Sequence, residues 1–411
     1  MNAIGARDRE ILRELAKRYL ELAALPQQTE RFERARDIND LKPRRPVVWL
    51  HEIPWHEMDI DSKLRLTCEN AFAREMEEFF RQTLYRWEYI QADMVVENAY
   101  PLARYYLYDE AEMGIAIQEH QLAIDSANTI VSHAYIDQLD TPEKVAVLTQ
   151  PQVKADPELD ARRKAQAEDI FGDILPVRLH GYYIYHAPWD RIPRFRSVTS
   201  VMTDLIDRPE LLHDTIKKFT AFGQYRMKQM EALGLLDTNI PELHCTPPYT
   251  SDLEPGTGLK NIWFRCMAQM FTEVSPAMWD EFEFEYVKPL MAQCGLVYYG
   301  CCEALERKIR FLKTIPNLRK IGVPPRANVE SCAEQIGGDY VYAHKPNPAH
   351  VAGNFDADIV RNEISRVIEA CRANNTPYEF VLKDISTCSY KPENMIKWTQ
   401  TVMNTIDKYH R

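Results

Sequence analysis

Sulfur, imidazole and carboxylate groups collect in a few short stretches of this 411-residue chain. Residues Tyr298, Cys301, Cys302 and Glu303 lie within six positions and offer S and O donors, the set a soft or borderline divalent ion such as zinc prefers. Glu242 and His244 alternate around Leu243, so on an extended strand both would point the same way. His180 and His186 bracket Tyr182, Tyr183 and Tyr185. Aromatic walls suit an aromatic ligand, and a tyrosine or histidine there can hydrogen-bond a departing oxygen. The plainer readings are a buried cysteine acting as a small hydrophobe and a tyrosine-rich strand acting as core. His51, Glu52 and His56 approach the spacing of a zinc-protease helix, but the second histidine is one residue late and Pro54 opposes a helix, so the stretch reads as loop. Gly256-Thr-Gly-Leu-Lys260 lacks the spacing of a phosphate loop and has no strand directly before it. The lack of a dinucleotide fingerprint argues against nicotinamide chemistry.

These residues need a scaffold. Short β-rich runs are expected at residues 47–53, 92–98, 176–185, 239–245, 295–301, 318–323, 339–344 and 378–384. Helical periodicity fills most of the intervals, at 210–235, 276–294, 327–336, 356–374 and 391–409. Strands alternating with helices imply βαβ units and a parallel sheet, and eight repeats imply an α/β fold of the (β/α)8 TIM-type barrel. Residues 1–45 form an N-terminal helical extension, residues 46–411 the barrel, and about 99–175 an insertion after the second strand. In such a barrel the chemistry sits where the strands end. Those ends carry His51 and Glu52, Glu97, His180 to His186, Glu242 and His244, Cys301 to Glu303, His344 and Lys345, and Lys383 and Asp384. Five of the eleven histidines fall there, a clustering that favours a functional face.

Composition removes several classes. Apolar residues make up 45% of the chain, enough for a large core, which excludes a disordered or disulfide-stapled chain. The net charge of −11, with no local basic run, leaves nothing to displace counterions from nucleic acid or to bind an anionic membrane. No apolar stretch reaches spanning length. Charges at Arg7, Asp8, Arg9 and Glu10 interrupt any signal-peptide core, and nine cysteines with no C-x-x-C pair read as reduced thiols in a cytoplasmic protein.

Several segments resemble the uroporphyrinogen decarboxylase superfamily, which includes cobamide-dependent methyltransferases. Arg45-Pro-Val-Val-Trp-Leu50 is similar to its first strand and Ala92-Asp-Met-Val-Val-Glu97 to its second. His180-Gly-Tyr-Tyr-Ile-Tyr-His-Ala-Pro-Trp189, followed by Asp207-Arg-Pro-Glu-Leu-Leu-His213, looks like its third strand and the next helix. The resemblance covers most of residues 45–410 and implies the barrel. Its decarboxylases carry carboxylate-gripping arginines after the first strand, where this chain has His51-Glu-Ile-Pro-Trp-His-Glu57. Its thiol-methylating branch carries His-x-Cys in mid-barrel and a later cysteine; here Tyr298-Tyr-Gly-Cys-Cys-Glu303 lacks the histidine, and His244 and Cys245 are adjacent. The aryl-ether branch is associated with a zinc pattern of Glu, fourteen residues, Glu, twenty residues, His, which Glu97, Glu112 and His133 match.

That resemblance implies a zinc-dependent O-demethylase methyltransferase. It would polarise the oxygen of a small methoxylated aromatic with zinc held by Glu97, Glu112 and His133, and pass the methyl group to the cobalt(I) of a corrinoid protein. His180, Tyr183 and His244 are the expected catalytic pocket residues. The expected partners are the substrate and the corrinoid protein, with a homo-oligomer possible. The alternatives are a decarboxylase, a methylcobamide-dependent methyltransferase acting on a thiol or amine, and a non-catalytic docking subunit for the corrinoid protein.

Overall fold

The computed structural model describes residues 4–122, 128 and 131–410. Nine parallel strands matter for the site: β1 (Val48–Leu50), β2 (Tyr100–Ala103), β3 (Val177–His180), β4 (Ile184–Tyr185), β5 (Trp263–Cys266), β6 (Leu296–Tyr299), β7 (Leu318–Val323), β8 (Val341–His344) and β9 (Tyr378–Leu382). Seven of them form one curled parallel sheet in the order β1-β9-β8-β7-β6-β5-β4. The remaining two, β2 and β3, pair with each other, Tyr100 opposite Val177 and Ala103 opposite His180. The β6, β7 and β9 sequences LVYY, LRKIGV and YEFVL are rich in β-branched and aromatic residues and almost wholly buried, as strands covered on both faces must be.

Helices supply that cover: α1 (Ala6–Ala23), α2 (Pro26–Asn39), α3 (Ala71–Tyr89), α4 (Pro209–Ala232), α5 (Val329–Ile336), α6 (Ala357–Ala373) and α7 (Pro392–Tyr409). The sequence marks their starts. Asn70 caps α3 by accepting from the Phe72 and Ala73 amides, and Asp356 caps α6 by accepting from those of Asp358 and Ile359. One continuous core runs from Val48 to Ile406 under α4 to α7, and a second lies among α1, α3 and β2. Among the described residues no helix is long and apolar enough to cross a membrane.

Strand pairing does not close an eight-stranded barrel, and two expected strands are corrected. Residues 92–98 do not pair as a strand. Asp93 explains why: its carboxylate accepts from the Val48 amide at 2.9 Å and meets Arg34 at 3.2 Å and Arg45 at 3.1 Å, while its own amide donates to the Val48 carbonyl. The open edge of β1 is thus capped by a side chain, and regular pairing begins only at Tyr100. Residues 239–245 are not a strand either. Leu243 and Thr246 exchange both backbone hydrogen bonds, and His244 and Cys245 between them have φ of 38° and 71°. Two positive φ angles make a tight reversal that no strand accommodates. The strand at that place in the sheet is β5.

Between β2 and β3 the chain forms two small antiparallel pairs, Tyr106–Tyr108 with Val153–Ala155 and Glu119–Leu122 with Ser132–Tyr135, and a helix, Pro157–Phe171. Residues 123–127, 129 and 130 of the expected insertion lie outside the described residues.

Candidate functional site at the strand ends

Gly300 ends β6 with φ of 89°, and a Cβ there would lie 2.3 Å from Leu305 Cδ1, so the turn requires glycine. The turn presents Cys301 and Cys302. Glu303 holds it, accepting from the Cys301 amide at 2.8 Å and the Ala268 amide at 3.1 Å. Cys301 Sγ lies 3.7 Å from Cys302 Sγ and 3.9 Å from His244 Nε2, and accepts from Lys383 Nζ at 3.2 Å. Cys302 Sγ donates to Asp384 Oδ2 at 3.1 Å. One ligand atom each from Cys301, Cys302 and Asp384 can be chosen so that all three lie within 4.8 Å of one another.

The electrostatics favour a thiolate at Cys301. Its contact with Cys302 favours the anion first, burial opposes it, and the charges of Arg265, Lys383 and Lys345 favour it, so its pKa is lowered. The Cys302 thiol is correspondingly raised, first by its contact with Cys301. Arg265, fully buried, stacks over the Tyr298 ring at 4.0 Å and donates to backbone carbonyls of Cys266 and Gly300. Burial and the nearby cations push the His244 imidazole far below its ordinary range, so it stays neutral. Neutral imidazole and thiolate are the forms that bind metals.

A second group sits beside the first. His51 Nε2 is 3.0 Å from Glu242 Oε2, Trp49 Nε1 donates to Glu242 Oε1 at 3.3 Å, and Cys245 Sγ is 3.9 Å from Glu52 Oε1. Burial lowers the His51 pKa, but contacts with Cys245 and Glu242 outweigh it and raise the imidazole to about 10. Glu52 Oε2 accepts from the Asp384 amide at 2.8 Å, joining the two groups.

A cavity of about 330 Å³ lies between the strand ends and the N-terminal helices, with Trp49, Phe79, Tyr249, Glu97, Arg178 and His180 in its wall. His180 is nearly buried; its Nδ1 meets the Gly181 carbonyl at 2.9 Å, and burial lowers its pKa. Tyr183 packs in a small apolar cluster with Leu243, Trp263 and Tyr298, and burial raises its hydroxyl. His244 reaches Cys301, as above, and lies 5.4 Å from the Tyr185 ring.

The expected metal ligands Glu97, Glu112 and His133 are not brought together. Glu97 pairs with Arg178 at 2.7 Å and accepts from the Tyr249 hydroxyl at 3.3 Å. Glu112, on the short helix Glu110–Met113, pairs with Lys154 and accepts from the Gln152 amide. His133 stands on the exposed hairpin strand Ser132–Tyr135, bonded to Glu119 at 2.8 Å and stacked on Tyr135. Each potential ligand is taken by its own neighbour. The groups that do converge, among the described residues, are Cys301, Cys302 and Asp384, and His51, Glu52 and Cys245. The sequence signal for the first was the adjacent cysteines with Asp384 at another strand end. Lys383 shared that strand-end signal with Asp384; Cys245 and Arg265 had none strong enough to select them.

A solved methyltransferase from Methanosarcina mazei superposes on this chain with a TM-score of 0.51 at 11% identity, covering 92% of this chain and 98% of that one. This likeness shows the fold alone. No protein-family model and no curated protein matches the chain.

Proposed function

We propose that this chain is a methyltransferase that moves a methyl group between a small substrate and the cobalt of a corrinoid held by a partner protein, with its reaction centre at Cys301, Cys302 and Asp384. The observation that carries the reading is the convergence of two sulfurs and a carboxylate at the strand ends, with Lys383 Nζ 3.2 Å from one of the sulfurs. The likeness in fold to a solved methyltransferase supports it. Two cysteine sulfurs, Cys302 losing its proton on binding, and a carboxylate would fit zinc with a fourth position open. Zinc bound there would supply Lewis-acid activation of a substrate heteroatom, and the corrinoid would supply the cobalt that gives or takes the methyl group.

The chain's own residues do the rest. Lys383 donates to Cys301 Sγ and keeps the sulfur anionic. Glu303 fixes the loop that carries both thiols. The cavity walled by Trp49, Phe79 and Tyr249 reaches Glu242 of the neighbouring group, and its mixed aromatic and charged lining would take a small substrate with a polar head. An aryl methyl ether as substrate rested on Glu97, Glu112 and His133, which are held apart; this centre favours a thiol or amine, because borderline-soft zinc takes sulfur and nitrogen donors more readily than an ether oxygen.

The test is methyl transfer followed by the cobalt spectrum. Wild-type protein with methylcobalamin should demethylate it in the presence of a simple thiol or secondary amine, and Cys302→Ser should lose roughly 100-fold or more of that rate, the several kcal/mol a Lewis acid contributes. Turnover of methoxylated phenols alone with reduced cobalamin, undiminished in Cys302→Ser, would overturn this centre and restore the aryl-ether reading.

A further inference from the structure

We propose that His51, Glu52 and Cys245 form a second divalent-metal site, distinct from the cysteine pair, for a borderline ion such as zinc. One ligand atom from each can be chosen so that all three lie within 4.8 Å of one another. Zinc bond lengths of about 2.0–2.3 Å put neighbouring tetrahedral ligands roughly 3.3–3.8 Å apart, so a small side-chain adjustment closes the site. The donors are N, O and S, a mixed set suited to zinc.

Two of the three ligands already have one polar atom fixed by the protein and another left facing the site. His51 gives Nε2 to Glu242, which Trp49 holds from its other oxygen, while His51 Nδ1 is buried with no hydrogen-bond partner. A metal at Nδ1 would displace the proton that this ring holds in the empty site, and the Glu242 carboxylate on Nε2 would then fix the ring for it. Glu52 gives Oε2 to the Asp384 amide, leaving Oε1 on the side of Cys245 Sγ. Cys245 is delivered by the tight reversal at 243–246. Glu52, His244 and Cys245 all have left-handed backbone, with φ of 50°, 38° and 71°. Backbone held in such conformations persists where the surroundings over-determine it, and at Glu52 and Cys245 it brings two of the ligands together, while His244 turns to Cys301. A cavity of about 330 Å³, walled by Trp55, Phe79 and Arg86, opens onto His51 and Glu52 and gives the fourth coordination position access from outside.

The two groups are neighbours, with Glu52 of one bonded to the Asp384 amide of the other, yet they share no ligand. The inference therefore stands or falls separately from the proposed reaction centre.

The experiment uses the full chain, stripped with a chelator and dialysed against limiting Zn²⁺, and in parallel against Co²⁺ as a spectroscopic probe. Wild type should bind two equivalents. His51→Ala and Cys245→Ser should each bind one fewer, and Cys245→Ser should also lose thiolate-to-cobalt absorption from that site. Cys302→Ser should keep the His51 site and lose the other. Glu242→Gln removes no ligand and should weaken the second site about 10–100-fold, which keeps the proposal testable if a ligand variant fails to fold. A single wild-type equivalent lost only in Cys302→Ser, or unchanged metal content in His51→Ala and Cys245→Ser, would overturn it. A single equivalent lost only in His51→Ala would uphold this site and defeat the metal centre at the cysteine pair.

Discussion

Cys301 is almost fully buried, yet the charges around it favour its anion. The residues that achieve this come from three strand ends and one strand interior: Cys302 after β6, Lys345 after β8, Lys383 after β9 and Arg265 within β5. Adjacent cysteines in the sequence drew notice, but a thiol's neighbours in space decide its chemistry, and Arg265 lay in a strand the sequence did not reveal. Glu97, Glu112 and His133 mislead for the complementary reason. Spacing along a chain says nothing about which groups lie nearest in space, and here Glu97 pairs with Arg178, Glu112 with Lys154 and His133 with Glu119, apart from one another. Removing the nearest cation is the direct check on the thiolate. In the metal-free protein, Lys383→Met should raise the Cys301 pKa by roughly 1–3 units. Thiolate ultraviolet absorbance, assigned by its loss in Cys301→Ser, should then vanish at a higher pH as the solution is acidified than it does in wild type. An unchanged titration would mean that Lys383 does not hold the anion.

At the scale of elements, the helices were the most legible part. The apolar periodicity at 356–374 and 391–409 corresponds to α6, Ala357–Ala373, and α7, Pro392–Tyr409, because an amphipathic stripe and its caps are written locally. Strands of three or four residues carry less. Trp263–Cys266 is too short to show alternation, whereas residues 239–245 alternate well and yet turn back on themselves. Asp93 shows how one side chain can replace a strand. It satisfies the Val48 amide and neutralises Arg34 and Arg45, tying α2 to β1. Asp93→Ala leaves a buried amide and two guanidinium groups without that partner. It should destabilise the protein by about 3–5 kcal/mol, measured as a lower denaturant midpoint with unchanged slope. A loss within measurement error would show that the β1 edge is held by something else.

Across the whole molecule, the parallel sheet gathers residues more than 300 positions apart, such as Glu52 and Asp384, at one rim. Sequence reasoning reached the α/β architecture and the rule that strand ends carry the chemistry, because alternation of β-rich and helical runs is a long-range pattern. It did not reach the opening between β1 and β2, where the N-terminal helices, rather than strand pairing, border the aromatic cavity. The two ligand groups lie at the strand ends beside one another, and the proposal that sulfur from the Cys301–Cys302 turn holds a reaction-centre metal is what the functional reading depends on. X-ray absorption at the zinc edge of the Cys245→Ser protein, which retains only the cysteine pair as sulfur ligands, tests it most directly. Sulfur scatterers at about 2.3 Å, lost on the further substitution Cys302→Ser, are the result this structure predicts; zinc surrounded by oxygen and nitrogen alone would contradict it.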